Sequence, residues 1–188
     1  MRGSAPATCG WYTDTLVSTL CLEDTALLVE ERRIVAVTDT LTELRIPADA
    51  FPGPVATDVP IGVRVVYGGD LIDSPGGRLT RRSVRIRLPT SLARGRGHQY
   101  GLASSAAVPA SSIHQHIHNC TQRCDLYVAR ARFGLPGRPS LVWLVDGETP
   151  DQVAAPACRR QTIPVDSVGE VVARFQELEP GRCYGFRW

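Results

Sequence analysis

Arg82-Ser-Val-Arg-Ile-Arg-Leu88 alternates without a break, with Val84, Ile86 and Leu88 on one side and Arg85 and Arg87 on the other. Alternate residues of an extended chain share a face, so this heptapeptide reads as a strand with one side buried and a row of guanidinium groups on the other. The pattern repeats outward. Asp73-Ser-Pro-Gly-Gly77 is a turn upstream of it, and Ile61-Gly-Val-Arg-Val-Val-Tyr67, bounded by Pro60 and Gly68-Gly69, is a second strand. Downstream, Asp125–Phe133 and Ser140–Val145 are strands joined by Gly-Leu-Pro-Gly-Arg-Pro, Asp146-Gly147 is a turn, Gln161–Val165 is a weaker strand and Gly169–Phe175 a stronger one. Toward the N-terminus, Leu41–Ile46 alternates imperfectly and stops at Pro47. Ala26–Val37 presents two apolar runs around the charged Glu30-Glu-Arg-Arg33, a hairpin whose competitor is one amphipathic helix over Thr25–Val37. Tyr12–Leu22 fits a short helix or a strand. Ala93–Ser112, rich in Gly, Ser, Ala and Arg, reads as the longest loop.

These elements predict an all-β protein, a β-sandwich of the immunoglobulin-like or a related kind, with roughly seven to ten strands, long loops and little helix. One domain over residues 1–188 accounts for the length; two small β-domains, 1–97 and 98–188, are the alternative. The 43% hydrophobic content suffices for a core, and the 14 Pro and 17 Gly punctuate short strands. No run reaches the roughly 18 apolar residues of a membrane-spanning helix. The start, Met1 to Leu28, is interrupted by Asp14, Glu23 and Asp24 and lacks an apolar signal core.

All 21 basic residues are Arg. A GC-rich coding bias accounts for this, and selection against lysine modification would do the same. Residues 1–73 carry eleven acids and five Arg, residues 74–124 eight Arg and no acid, and residues 125–188 eight of each, for a net charge of +2. The basic middle would attract a nucleic acid or other polyanion, or an acidic protein partner. The competing reading is a solvated strand face that meets the acidic first third of the same molecule. Among its arginines, Arg78, Arg81, Arg82, Arg85 and Arg87 form the candidate binding surface.

Chemistry has one candidate stretch, Ser112-Ile-His-Gln-His-Ile-His-Asn-Cys-Thr-Gln-Arg-Cys124, with three of the four histidines and two of the six cysteines. On a strand His114, His116, His118 and Cys120 share a face. Neighbouring imidazoles two apart can converge on one ion, and zinc is the metal such ligands take, with Cys120, Cys124, His98 or Cys158 to complete the set. His114 and His118 start about 13 Å apart, so one ion takes at most a neighbouring pair. The alternative is that the histidines line a solvent-facing or partner-facing edge and do no chemistry. Cys120 and Cys124 can equally pair with Cys158 or Cys183, which would imply an extracellular or virus-encoded module; unpaired thiols would suit the cytoplasm. Asn119-Cys-Thr121 is an N-glycosylation sequon.

Two resemblances follow from these residues. His114-Gln-His-Ile-His118 resembles the signature of histidine triad hydrolases and transferases, which implies that His116 would attack a phosphate; Gln115 and Asn119 stand where that family has apolar residues. Leu178, Pro180, Gly181 and Tyr184 resemble the tyrosine corner of fibronectin type III and related immunoglobulin-like sandwiches, which implies a crossing between sheets at Pro-Gly and a bond from the Tyr184 hydroxyl to upstream backbone. Phosphate-loop, nucleophile-elbow and dinucleotide fingerprints are absent from the sequence. The sequence therefore predicts a non-catalytic module that recognises a macromolecule through the arginine-rich strand face, with a metal-dependent or triad-type hydrolase as the alternative.

Overall fold

The computed structural model of the chain describes residues 10–23, 25–47, 61–72, 78–79, 83–155 and 161–188. Its strands, in chain order, are β1 (Trp11–Leu22), β2 (Thr25–Ala36), β3 (Leu41–Pro47), β4 (Ile61–Tyr67), β5 (Asp70–Leu71), β6 (Arg78–Leu79), β7 (Ser83–Leu92) and β8 (Gly97–Pro109). They continue with β9 (Gln115–Asn119), β10 (Cys124–Phe133), β11 (Val142–Glu148), β12 (Thr162–Ile163), β13 (Glu170–Leu178) and β14 (Cys183–Arg187), and the only α-helix among the described residues is α1 (Pro150–Ala154). A seven-stranded sheet runs β13-β10-β1-β2-β8-β4-β6, a four-stranded sheet β12-β11-β14-β9, and a three-stranded sheet β3-β7-β5. Among the described residues the β1–β10 pair is parallel and every other pair antiparallel.

Both smaller sheets pack on one face of the large one. Leu16, Leu20, Tyr127, Ala129 and Phe175 of the large sheet share a core with Val142, Tyr184 and Phe186 of the four-stranded sheet. Ile34, Tyr100, Leu102 and Val63 share a second core with Leu44, Ile46, Val84, Ile86 and Leu88 of the three-stranded sheet. The chain is thus an all-β sandwich, and its large sheet draws strands from both sides of residue 97.

Strand β2 crosses from one core to the other. Ala26, Leu28, Glu30, Arg32, Ile34 and Ala36 all point inward. The hairpin and helix readings of this segment are therefore replaced by one straight strand, in which half of the charged quartet points in and half out. Arg32 Nη2 donates to both carboxylate oxygens of Glu30, 3.1 Å away, with both side chains buried. Burial disfavours the charge on Arg32, but Glu30 outweighs it and the guanidinium pKa is raised. Across the sheet Glu30 stands between Ser18 and Leu102, and Arg32 between Leu16 and Tyr100. Arg32 Nε keeps no hydrogen-bond partner.

The segment expected to be the longest loop contains the thirteen residues of β8, which pairs with β2 on one side and β4 on the other. Only the Ala93–Arg96 turn and the 3-10 turn at Ala110–Ser112 remain irregular. Small residues hide this strand from propensity reasoning, yet they are what the site requires. The Tyr67 ring lies over Gly101, where a Cβ would come within 2.6 Å of it. Asp146-Gly147, expected to turn the chain, instead makes a bulge inside β11, with Gly147 at φ 68°. Helix α1 carries a reciprocal capping box between Thr149 and Gln152.

The buried pair generates the first prediction. Glu30→Gln alone should lower stability by about 3–5 kcal/mol, because it strands a guanidinium between the cores, while Glu30→Leu with Arg32→Met should fall within about 1 kcal/mol of the parent or exceed it. Urea unfolding measures both; a silent Glu30→Gln would mean the pair does not hold this strand.

Candidate functional site

The histidine stretch folds as β9, at the edge of the four-stranded sheet, and is held there by β14 in the register Tyr184↔His118 and Phe186↔His116. Gly185 lies between these partners at φ 141°, and a Cβ on it would run into the carbonyl oxygen of His116. The close approach of the two backbones therefore depends on glycine. His116 and His118 project together into the core and are 1% and 8% exposed. His118 packs 5.1 Å from the Tyr127 ring, which stacks on Phe175, which meets Tyr184 edge-on. His116 faces Phe186 and donates from Nε2 to the Ser18 carbonyl at 3.3 Å, which places its lone pair on Nδ1. The Nδ1 atoms of both rings have no partner. Burial lowers the His116 pKa to about 4; burial, with help from the Arg32 charge and from His116, lowers that of His118 to about 3. Both rings are neutral aromatic members of a closed interior.

The remaining ligand candidates are dispersed. His114 precedes the strand and is exposed, and His98 Nε2 lies 2.6 Å from the Gly68 carbonyl. Cys120 and Cys124 are buried thiols whose Sγ–H groups point to the Gln122 and Leu126 carbonyls. Desolvation pushes them up to about 11 and about 12, so both stay protonated at neutral pH. Cys21, Cys120, Cys124 and Cys183 are free, while Cys9 and Cys158 lie outside the described residues. Among the described residues, no three His, Cys, Asp or Glu side chains are placed to hold a metal ion.

Of the candidate binding surface, Arg85 and Arg87 point outward from β7 as the alternation requires, with Val84, Ile86 and Leu88 buried. Arg78 lies on β6, and Arg81 and Arg82 fall outside the described residues. Arg85 Nη2 bonds Glu43 at 2.8 Å, and Arg87 stands between Glu43 and Asp70 in the sheet. Arg94 pairs with Asp39 at 3.2 Å. This part of the basic segment thus meets acids of the first third of the chain.

A second arginine-bearing surface was not singled out from the sequence. The outward side of the seven-stranded sheet carries Arg64, Arg130 and Arg174 among Val17, Val29, Val128 and Val172. The signal was present only in Ala129-Arg-Ala-Arg-Phe133, where Arg130 and Arg132 alternate with apolar residues. No described element covers this side. Candidate membrane-spanning helices are also absent among the described residues.

No family model and no curated protein matches the chain. Among solved structures, it resembles aminopeptidase A of Legionella pneumophila in complex with aspartic acid, at 9% identity and a TM-score of 0.50, over 95% of this chain and 22% of that one. It also resembles an M1 zinc metallopeptidase from Deinococcus radiodurans, at 11% identity and a TM-score of 0.49, over 97% of this chain and 44% of that one. The chain spans less than half the length of the structures it resembles, and the likeness is one of fold.

The buried imidazoles predict acid lability. An unfolded histidine binds a proton near pH 6.5, whereas His116 and His118 stay neutral down to about 4 and about 3 in the fold. Between those limits the unfolded state holds more protons, so stability must fall as pH falls, by about 1.4 kcal/mol for each unit of depression. The charge on Arg32 and the neighbouring His116 further oppose a positive charge at His118. Melting temperature should therefore drop between pH 6.5 and 4.5, and His118→Phe should flatten the slope; an unchanged slope in that variant would contradict the assignment.

Proposed function

We propose that this chain is a non-catalytic β-sandwich module that works by contact with a macromolecular partner, through arginines displayed on strand faces. The observation that carries the proposal is the division of its polar side chains. The imidazoles of His116 and His118 are sealed between two sheets, where no substrate reaches them, and the arginines stand outside. A triad-type nucleophile needs an exposed, basic imidazole, and burial gives His116 the opposite character. The fold likeness supports a module as well, since a β unit of this shape forms about a fifth of the length of the Legionella pneumophila aminopeptidase A chain. A catalytic unit is accordingly one kind of partner such a module would serve.

Protein purified without a histidine tag, assayed by elemental analysis before and after chelation, tests the reading. The expected result is substoichiometric zinc and no release of product from amino-acid amides or nucleoside phosphoramidates with zinc supplied. One zinc per chain, removed by chelator with the circular dichroism unchanged and with hydrolysis lost, would replace the module by the metal-dependent hydrolase.

A further inference from the structure

The uncovered side of the seven-stranded sheet has a composition that a solvated face does not need. Strand registers place Val172, Arg130, Thr19, Val29, Ala103 and Arg64 side by side across six strands. The adjacent row is Arg174, Val128, Val17, Glu31, Gly101 and Tyr67. Val172 is 41% and Tyr67 40% exposed, and Leu27, one row further on, is 37% exposed. Antiparallel sheets with one solvated side normally show polar residues there. Here aliphatic groups run through the middle of the rows, and a contiguous patch of that kind marks an interaction site.

The charges on this side say what the partner is. Its acids are already engaged: Asp14 pairs with Arg33 at 3.6 Å, Glu31 faces Tyr67 across Gly101 and raises its pKa, and Glu23 and Glu170 flank Arg132 beside Cys21. Among the described residues, Arg64, Arg130 and Arg174 have no carboxylate partner. A second copy docked on this face would gather the guanidinium groups of both copies into one interface whose acids are already engaged. Nucleic acid would answer the charge but not the aliphatic rows.

We infer that the outward face of the seven-stranded sheet docks an acidic protein segment in which carboxylates alternate with apolar or aromatic side chains. This rests on the recognition reading above and names the surface and the chemistry of its partner. Apolar groups fill the shallow middle between Val17, Val29 and Val128, and carboxylates reach Arg130, Arg174 and Arg64 at its borders. The acidic first third accounts for Arg85 on the other exposed strand, so β7 is the natural control.

The test uses the whole chain and three immobilised probes: a random copolymer of glutamate and tyrosine, poly-glutamate, and a duplex DNA oligonucleotide of matched length. Binding should be tightest to the copolymer, and Arg130→Glu with Arg174→Glu should weaken it about tenfold or more, while Arg85→Glu with Arg87→Glu changes it by less than about threefold. Val172→Ser with Leu27→Ser should weaken copolymer binding and leave poly-glutamate binding unchanged. Tighter binding to DNA, or no copolymer binding at all, would overturn the acidic-segment partner. Loss in the β7 variant alone would overturn this face while leaving recognition by arginines standing; that outcome is distinct from the appearance of zinc and hydrolysis, which would remove the recognition reading itself. Melting curves of each variant confirm that losses reflect the surface.

Discussion

The ion pair between Glu30 and Arg32 is the constraint around which the rest is arranged, because it lies where β2 passes from one core to the other. Apolar residues at these positions would merge the two clusters into a single slab. Instead β2 carries Ala26 and Leu28 into one core and Ile34 and Ala36 into the other, with charge in between. A buried pair of this sort contributes little net stability, since desolvation cancels most of the attraction. Register is set around it: sliding β2 by one residue would turn Leu28 and Ile34 out of the two cores together with the pair, and bury Glu31 and Arg33 in its place.

The neighbours of the pair follow from it. Tyr100 lies beside Arg32 in the sheet, and the charge of Arg32 reaches His118 across the interior. The aromatic chain from His118 through Tyr127 and Phe175 to Tyr184 then ties the four-stranded sheet to the large one. Tyr184 finishes that chain with its hydroxyl accepting a bond from the Glu179 N–H at 2.9 Å, where the backbone passes from β13 to β14. His116 and His118, which looked most like chemistry, thus lie among the packed aromatics of the interior.

The strands with strong alternation were legible in the sequence, β7 above all, because branched apolar residues and arginines cannot exchange faces there. So was the passage from Leu178 to Tyr184, whose Pro-Gly permits no continuous strand. What could not be read was set by partners distant in sequence. Ala103 and Ser104 carry no strand signal of their own; they are extended because β2 and β4 bond them from both sides. Glu30 and Arg32 look like a turn until each is seen to be the other's solvent. The shared face of His116 and His118 was readable, but not its direction, since alternation tells which side chains go together and is silent about which side is covered.

The parallel pairing of β1 with β10 joins Thr13 to Cys124 through the middle of the seven-stranded sheet. A chain emerging from the ribosome can zip β1 to β2 early, but the other side of β1 waits for a partner, β10, that lies beyond β3 to β9 in the chain. Throughout that interval a long apolar strand offers open amides to any neighbouring chain, and its closure carries the slow kinetics of distant contacts. Recovery of this protein in soluble form is consequently a matter of timing, and low temperature or a chaperone that shields a bare sheet margin should matter more to its yield than any gain in final stability.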